Sequence, residues 1–181
     1  PAVVFTSDKA LRLVYGRLSA VGLPCPLLRL DRGGAVAIDR FRKSGNGGLF
    51  ASGALWEGID LPGDILSMLI IVKLPFAVPD PISEYERTLY KSMDEYMRLV
   101  VVPGMIIKLK QGFGRLIRSE WDTGVVALLD SRVRLDGSHR RRVLFALPQC
   151  RVVKEIALTR QFFLDKKGEE YFETLPALTI A

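Results

Sequence analysis

A chain of 181 residues, 49% hydrophobic and 25% charged, has the length of one domain and apolar material for a packed core, which excludes a disordered segment. No apolar run reaches the roughly 18–20 uncharged residues of a membrane span, and two cysteines with one histidine leave a poor ligand supply for zinc. The net charge of +6 leans toward a polyanionic partner, nucleic acid or a phosphate-rich ligand. The N-terminus lacks the layout of a signal peptide, so no membrane contact and a cytoplasmic setting are expected, with Cys25 and Cys150 reduced. Because the sequence starts at Pro1 and enters a strand almost at once, it reads as a piece of a longer protein.

AVVF (residues 2–5) is a short apolar run followed by the helix-capping residues Thr6, Ser7 and Asp8, and then by apolar residues at helical spacing. Gly22 and Pro24 end that helix, PLLRL (26–30) predicts a second strand, and AVAIDRFRK (35–43) a short helix closed by SGNGG. GLFAS (48–52) predicts a third strand and SMLIIVKL (67–74) a fourth, apolar enough to be buried on both faces. Asp80 and Pro81 then mark a helix start, and Ile82, Tyr85, Leu89, Met93, Tyr96 and Met97 recur at helical spacing, which predicts one amphipathic inserted helix over about 80–103. A further helix from near Pro103 feeds VVALLD (125–130), a fifth strand, followed by a basic helix over about 137–146. Strands alternating with helices predict a mostly parallel sheet covered on both faces, the three-layer α/β arrangement. Ligands of such sheets collect at the carboxyl ends of the strands, where Ser7, Ser52 and Lys73 lie.

QGFGRLIRS (111–119) poses a problem for helix physics, because each interior glycine costs roughly 1 kcal/mol relative to alanine. At about 100° per residue, Lys108, Gln111, Arg115 and Arg118 fall within roughly an 80° arc, with Ile106, Leu109, Phe113, Leu116 and Ile117 on the opposite, buried side. Gly112 and Gly114 would let a backbone or ligand come close, and paired guanidiniums suit a ligand with several anionic oxygens. An ordinary ion-paired surface would also explain an isolated arginine pair. In SGALWEGIDLPG (52–63), Glu57 and Asp60 accept hydrogen bonds from ribose hydroxyls or arginine, and Gly58 leaves a backbone amide unshielded.

The two segments in this order resemble motifs V and VI of superfamily 2 helicases: QGFGRLIR matches Q-x-x-G-R-x-x-R, and VVFTS (3–7) looks like motif IV. WEGIDLPG, IIVKLPF and KQGFGRLIR resemble the XPD/DinG branch, bacterial DinG-type helicases most closely, over residues 2–153. The resemblance implies that residues 1–181 are the second, C-terminal RecA-like motor domain, with the first motor domain absent from this fragment. ATP and Mg2+ would then sit between the two, the phosphate loop and magnesium site belonging to the other domain. Arg118 would be the arginine finger and Arg115 a second contact to the γ-phosphate or to an acidic partner. Gln111 would position the phosphate or its water, Asp60 would reach the ribose, Glu57 would link the two motifs, and Gly58 and Gly114 would border the nucleotide.

Thr6, Ser7 and Ser52 would hold the backbone of single-stranded DNA, with Lys73 and Lys108 as accompanying cations. Arg132, Arg134, Arg140, Arg141 and Arg142 extend that track or form a solvated basic face, and His139 reads as a surface residue. No G-x-x-x-x-G-K-[ST] and no D-E-x-H occurs, so this chain alone is expected not to hydrolyse ATP and to hold no metal. The family's iron–sulfur cysteines belong to the missing half, so Cys25 and Cys150 neither support nor exclude a cluster. The functions implied are DNA repair helicase, 5′ to 3′, at the nucleoid or, alternatively, a helicase-like nucleic-acid-binding module attached to a nuclease. Residues beyond 153 carry little signal.

Overall fold

The computed structural model describes residues 1–30, 34–53, 65–118 and 121–168. Its strands are β1 (Ala2–Phe5), β2 (Leu27–Arg29), β3 (Gly48–Ser52), β4 (Met68–Ile71) and β5 (Val125–Leu128). They form one sheet in the order β2-β3-β1-β4-β5, with every neighbouring pair parallel. The expected α/β fold is therefore present, and as an all-parallel sheet. Register places Phe5 opposite Ser52, Val4 opposite Ile71, and Ile71 opposite Leu128, so the carboxyl ends of the four strands β3, β1, β4 and β5 align.

Successive strand side chains point to opposite faces, and that alternation sorts the helices. Val3, Phe5 and Phe50 face α1 (Asp8–Val21), meeting Leu11, Val14, Tyr15 and Leu18. Ser7 caps α1 by accepting a hydrogen bond from the Ala10 amide, and Gly22, in the left-handed region at φ 70°, ends it as glycine does without strain. The Tyr15 hydroxyl donates to the Leu27 carbonyl at 3.0 Å, tying this helix to β2. Ala2, Val4, Leu49, Ala51, Leu69 and Ile71 face the other way, against α2 (Ala35–Ser44), α5 (Val102–Leu116) and α6 (Arg140–Ala146) through Phe41, Met105, Leu109, Leu116 and Val143. β4 is less enclosed than its composition predicts: Leu69 and Ile71 are buried, Met68 and Ile70 only half so. All four residues of β5, at the sheet edge, are half-buried.

The insertion differs from the single predicted helix. It consists of α3 (Pro81–Arg87), α4 (Met93–Tyr96) and a π-helical turn, Met97–Val101, that runs directly into α5. Asp80 caps that helix start as expected, in a capping box with Ser83, but Ser92 caps a second start by accepting from the Glu95 amide at 3.1 Å. The helical period of apolar residues here is not a core stripe, because Ile82, Tyr85, Leu89 and Met93 are exposed and only Tyr96 is buried. Residues 156–166, silent in sequence, form α7 (Ile156–Lys166).

Leu109, with no exposed surface, sits where α5 presses on the sheet. Leu109→Ala is expected to destabilise the chain by about 2–5 kcal/mol, the range for a buried leucine truncation, measured by urea unfolding followed by circular dichroism.

Candidate nucleotide and nucleic-acid faces

The chain connections divide the polar residues between two edges of the sheet. Thr6 and Ser7 follow the carboxyl end of β1, Ser52 closes β3, and Lys73 lies two residues beyond β4. Thr6, Ser7 and Lys73 are exposed, and Ser52 is half-buried. Ser7 already uses its oxygen to cap α1, which leaves its O–H free to donate outward. Gly53, at φ 60°, makes the turn that follows Ser52, in a conformation that side-chain-bearing residues rarely adopt. Strand order reverses direction between β1 and β4, so the crevice between the Thr6–Ser7 turn and the Lys73 loop is the switch point of this sheet.

That edge is held by a buried carboxylate. Asp130, whose side chain is 5% exposed, follows β5 and accepts from the Leu74 amide at 2.9 Å, so it fixes the residue next to Lys73. The same carboxylate accepts from Arg132 at three atoms, the backbone N at 2.9 Å, Nε at 3.0 Å and Nη2 at 2.6 Å. The Arg132 guanidinium carbon in turn lies 4.5 Å from the centre of the Phe76 ring, and His139 packs on that ring at 5.3 Å. Hydrogen bonds from the Arg132 side chain, then from the Leu74 and Arg132 amides, hold the Asp130 carboxyl well below its usual range against the opposing effect of burial. Burial and the Arg132 and Arg142 charges lower the His139 pKa, favouring the neutral ring beside a cation. His139 is half-buried, not the surface residue expected, and Arg132, its side chain 40% exposed, is held by Asp130. Asp130 escaped the sequence reading because its partner Leu74 is 56 residues away.

The residues of α5 do not join this edge. A parallel β4–β5 pair requires α5 to run back against the strand direction, so its last turn reaches the amino end of β5, where Leu116 packs against Gly124. Four strand residues at about 3.3 Å each separate that end from the carboxyl edge by roughly 13 Å. Lys108 and Gln111 are exposed on α5 and Arg115 is half-buried, in one stripe as expected. Arg118 is off the stripe: the helix ends at Leu116, Ile117 is extended (φ −117°, ψ 105°), and the Arg118 amide donates to Asp122 Oδ2 at 2.7 Å. The anchored loop presents Arg118 at the surface, and Ile117, expected in the core, is 37% exposed. An added Cβ at Gly114 would meet no described atom within 4 Å, so nothing described here crowds that glycine. Glu57, Gly58 and Asp60 lie outside the described residues.

Gln111, Arg115 and Arg118 offer hydrogen-bond donors of the kind phosphate oxygens accept. Among the described residues no group of three His, Cys, Asp or Glu side chains could hold a metal ion, and no helix is long and apolar enough to cross a membrane. A surface cleft of about 430 Å³ lies between the insertion and α6, lined by Ser92, Asp94, Glu95, Met97, Arg98 and Arg142.

A family model described as the helicase C-terminal domain matches residues 2–150. The chain is 34% identical over 148 residues to an ATP-dependent DNA helicase, YoaA, of Haemophilus influenzae, covering 77% of this chain and 22% of that protein. It is 33% identical to the 3′-5′ exonuclease DinG of Bacillus subtilis over 83% of this chain and 17% of that one. It is 42% identical to the ATP-dependent DNA helicase DinG of Photobacterium profundum over 59% of this chain and 16% of that one. The chain therefore spans about a fifth of the length of these relatives. A solved structure of apo XPD shares the fold, with a TM-score of 0.61 and 23% identity over 80% of this chain and 30% of that one.

Asp130→Asn removes the charge and leaves one accepting oxygen, with an NH2 donor facing the Leu74 amide or the Arg132 groups in place of the other. Asp130→Asn is expected to cost about 1–3 kcal/mol at pH 7. A carboxyl whose folded pKa is depressed stabilises the fold above its unfolded pKa of about 3.9 and loses that contribution as pH falls. The stability gap between wild type and Asp130→Asn, read by chemical denaturation, should therefore close as the buffer is taken below about pH 4.

Proposed function

Because the chain belongs to the helicase C-terminal domain family, we propose that it is the second RecA-like motor domain of an ATP-dependent DNA helicase moving 5′ to 3′ on single strands. The observation that carries this reading is the division of polar residues between opposite edges of one rigid sheet. One edge offers exposed hydroxyls and Lys73, the other Gln111, Arg115 and Arg118. A translocating motor must hold a polyanionic strand and a triphosphate at once, and the separation keeps the two from competing for the same cations.

In this proposal Arg118 acts as the arginine finger from its anchored loop, Arg115 contacts the γ-phosphate or an acidic partner, and Gln111 positions the phosphate or attacking water. A guanidinium there neutralises charge that develops on the transferring phosphoryl oxygens. Asp60, Glu57, Gly58 and Gly114 complete the nucleotide side. Thr6, Ser7, Ser52 and Lys73 hold the DNA backbone without reading bases, so binding is sequence-independent and weakens with salt; Lys108, on the α5 stripe with Gln111 and Arg115, stands apart from that edge. Bound ATP with Mg2+ supplies the energy of movement. In this reading the Mg2+ ligands and phosphate loop come from the first domain of the same chain. An iron–sulfur cluster, where such a helicase has one, would belong to that half as well.

A second reading has its own support, in the similarity to a relative named as a 3′-5′ exonuclease: here the domain binds nucleic acid for an attached nuclease and does not unwind. The two separate on the finger. In the full-length protein, Arg118→Ala should lower DNA-stimulated ATP turnover by about 10³–10⁵-fold while leaving ATP affinity within a few-fold. Turnover equal to wild type would remove the finger role, and an intact protein that degrades DNA without ATP turnover would establish the second reading. Gly114→Ala is expected to stabilise the isolated chain by a few tenths to about 1 kcal/mol, since the added methyl meets open space. The same substitution should slow ATP turnover in the full-length protein, checked by steady-state kinetics.

A further inference from the structure

The run of arginines after β5 is not one basic face. Arg132 is bound to Asp130, and Arg140 Nη1 donates to the Val133 carbonyl at 3.2 Å, so both serve the fold. Arg141 and Arg142 are exposed, and neither has an ion-pair partner among the described residues. Val143 between them and the next turn is fully buried and fixes the rotation of α6. At about 100° per residue, that rotation sets Arg141, Phe145 and Arg142 within an arc of roughly 100°, with Phe145 between the two arginines and Val143 opposite. Phe145 is 93% exposed, the most exposed phenylalanine among the described residues.

A single exposed apolar residue is ordinary on a protein surface. An exposed aromatic ring flanked by two guanidiniums without carboxylate partners has a more specific meaning. It repeats the alternation of a single nucleic-acid strand, a phosphate charge beside a flat π face. A protein-docking face would instead need a broad apolar patch, and on α6 itself the exposed large apolar residues are Phe145 and, at 37%, Leu144. The cleft beside Arg142 is lined from the insertion by Asp94 and Glu95 together with Arg98, so the uncompensated cations nearest Phe145 are those of α6 itself.

The patch is also in the right place. His139, immediately before α6, packs on Phe76, and Phe76 lies two residues beyond Leu74, whose amide Asp130 fixes beside Lys73. The first turn of α6 therefore continues the carboxyl edge on which Thr6, Ser7, Ser52 and Lys73 lie.

We propose that the outer face of α6 is a contact for single-stranded DNA, with Arg141 and Arg142 on successive phosphates and Phe145 stacked on a base. This rests on the DNA-binding reading above and adds a stacking element that none of the motif residues supplies. Stacking on phenylalanine accepts any base, so the contact is sequence-independent and gives the strand a fixed station at the outer end of the track.

The test is equilibrium binding of fluorescein-labelled oligothymidylate to the full chain, read by anisotropy over a series of salt concentrations. All substituted side chains are exposed, so the variants are expected to keep the wild-type circular dichroism spectrum. Phe145→Ala should weaken binding roughly 5- to 150-fold without changing the salt slope, as expected for loss of one stacked base. Arg141→Ala combined with Arg142→Ala should reduce the slope of log K against log salt by about 1.4, two single-strand phosphate contacts. Phe145→Trp should bind and lose more indole fluorescence on addition of oligothymidylate than wild type, which carries Trp56 and Trp121, and that difference is a signature a purely structural role would not produce. If both alanine variants bind as wild type while Lys73→Ala is weakened, α6 is not a contact and the carboxyl-edge track stands without it. If wild type shows no salt-sensitive binding, the DNA-binding reading and this inference fall together.

Discussion

The parallel pairing of β4 with β5 governs the rest of the molecule. Parallel neighbours cannot be joined by a hairpin, so the chain must cross from the carboxyl end of β4 back to the amino end of β5. The return is made by the insertion, the π-helical turn and α5, and α5 is long enough to cover the sheet face from one edge to the other. Its direction places Arg115 and Arg118 at one edge of a rigid body while the turns after β1, β3 and β4 open at the other. Two chemically distinct faces follow from one topological requirement. A short α5, or an antiparallel β5, would merge them.

Rigidity between those edges has identifiable sources. Ala2, Leu49, Leu69 and Leu109 have no exposed surface, and Met105 and Val143 are nearly or fully enclosed beside them, so helix and sheet share one packed layer. At the carboxyl edge, where backbone amides would otherwise seek water, the Asp130 carboxylate takes up the Leu74 amide and orders Arg132 over Phe76. A movement of the Lys73 loop is therefore coupled to β5 and, through His139, to α6. The insertion is less constrained: α3 has no buried residue, and within the insertion the Tyr96 hydroxyl of α4 donates to the Ser83 carbonyl of α3 at 3.1 Å.

What the sequence disclosed and what it hid divide along the range of the interactions. Strand positions were legible because short apolar runs end in glycine, proline or capping residues, and β1, β3 and β5 stand where those runs predict. The α1, α2 and α3 starts were legible for the same local reason. The insertion was misread because helical periodicity marks a stripe without saying whether anything covers it; the corrective signal was present in Ser92 and Glu95, spaced as a second capping pair. The end of α5 before Arg118 is not marked in the sequence, since no proline or glycine follows Leu116 directly. The chain instead leaves the helix where Asp122 captures the Arg118 amide, a contact between neighbouring loop residues that periodicity does not register. The Asp130 cluster and the half-burial of His139 depend on partners far away in sequence, and only the fold brings them together. Motif residues Gln111, Gly114 and Arg115 were identifiable by type and spacing, whereas the edge to which they belong was not, since the rule of carboxyl-end ligand sites locates only half of the polar surface.

The central claim is that this domain completes a nucleoside triphosphate site from the amino edge of its sheet, across a cleft from another domain. The most direct measurement is a structure of the full-length protein with ADP, Mg2+ and a fluoride mimic of the transferring phosphoryl group. The account predicts the Arg118 guanidinium, and Arg115 beside it or against an acidic neighbour, within hydrogen-bonding distance of the mimic, about 2.7–3.1 Å. A nucleotide held entirely by the other domain, with the end of α5 facing solvent or DNA, would contradict it.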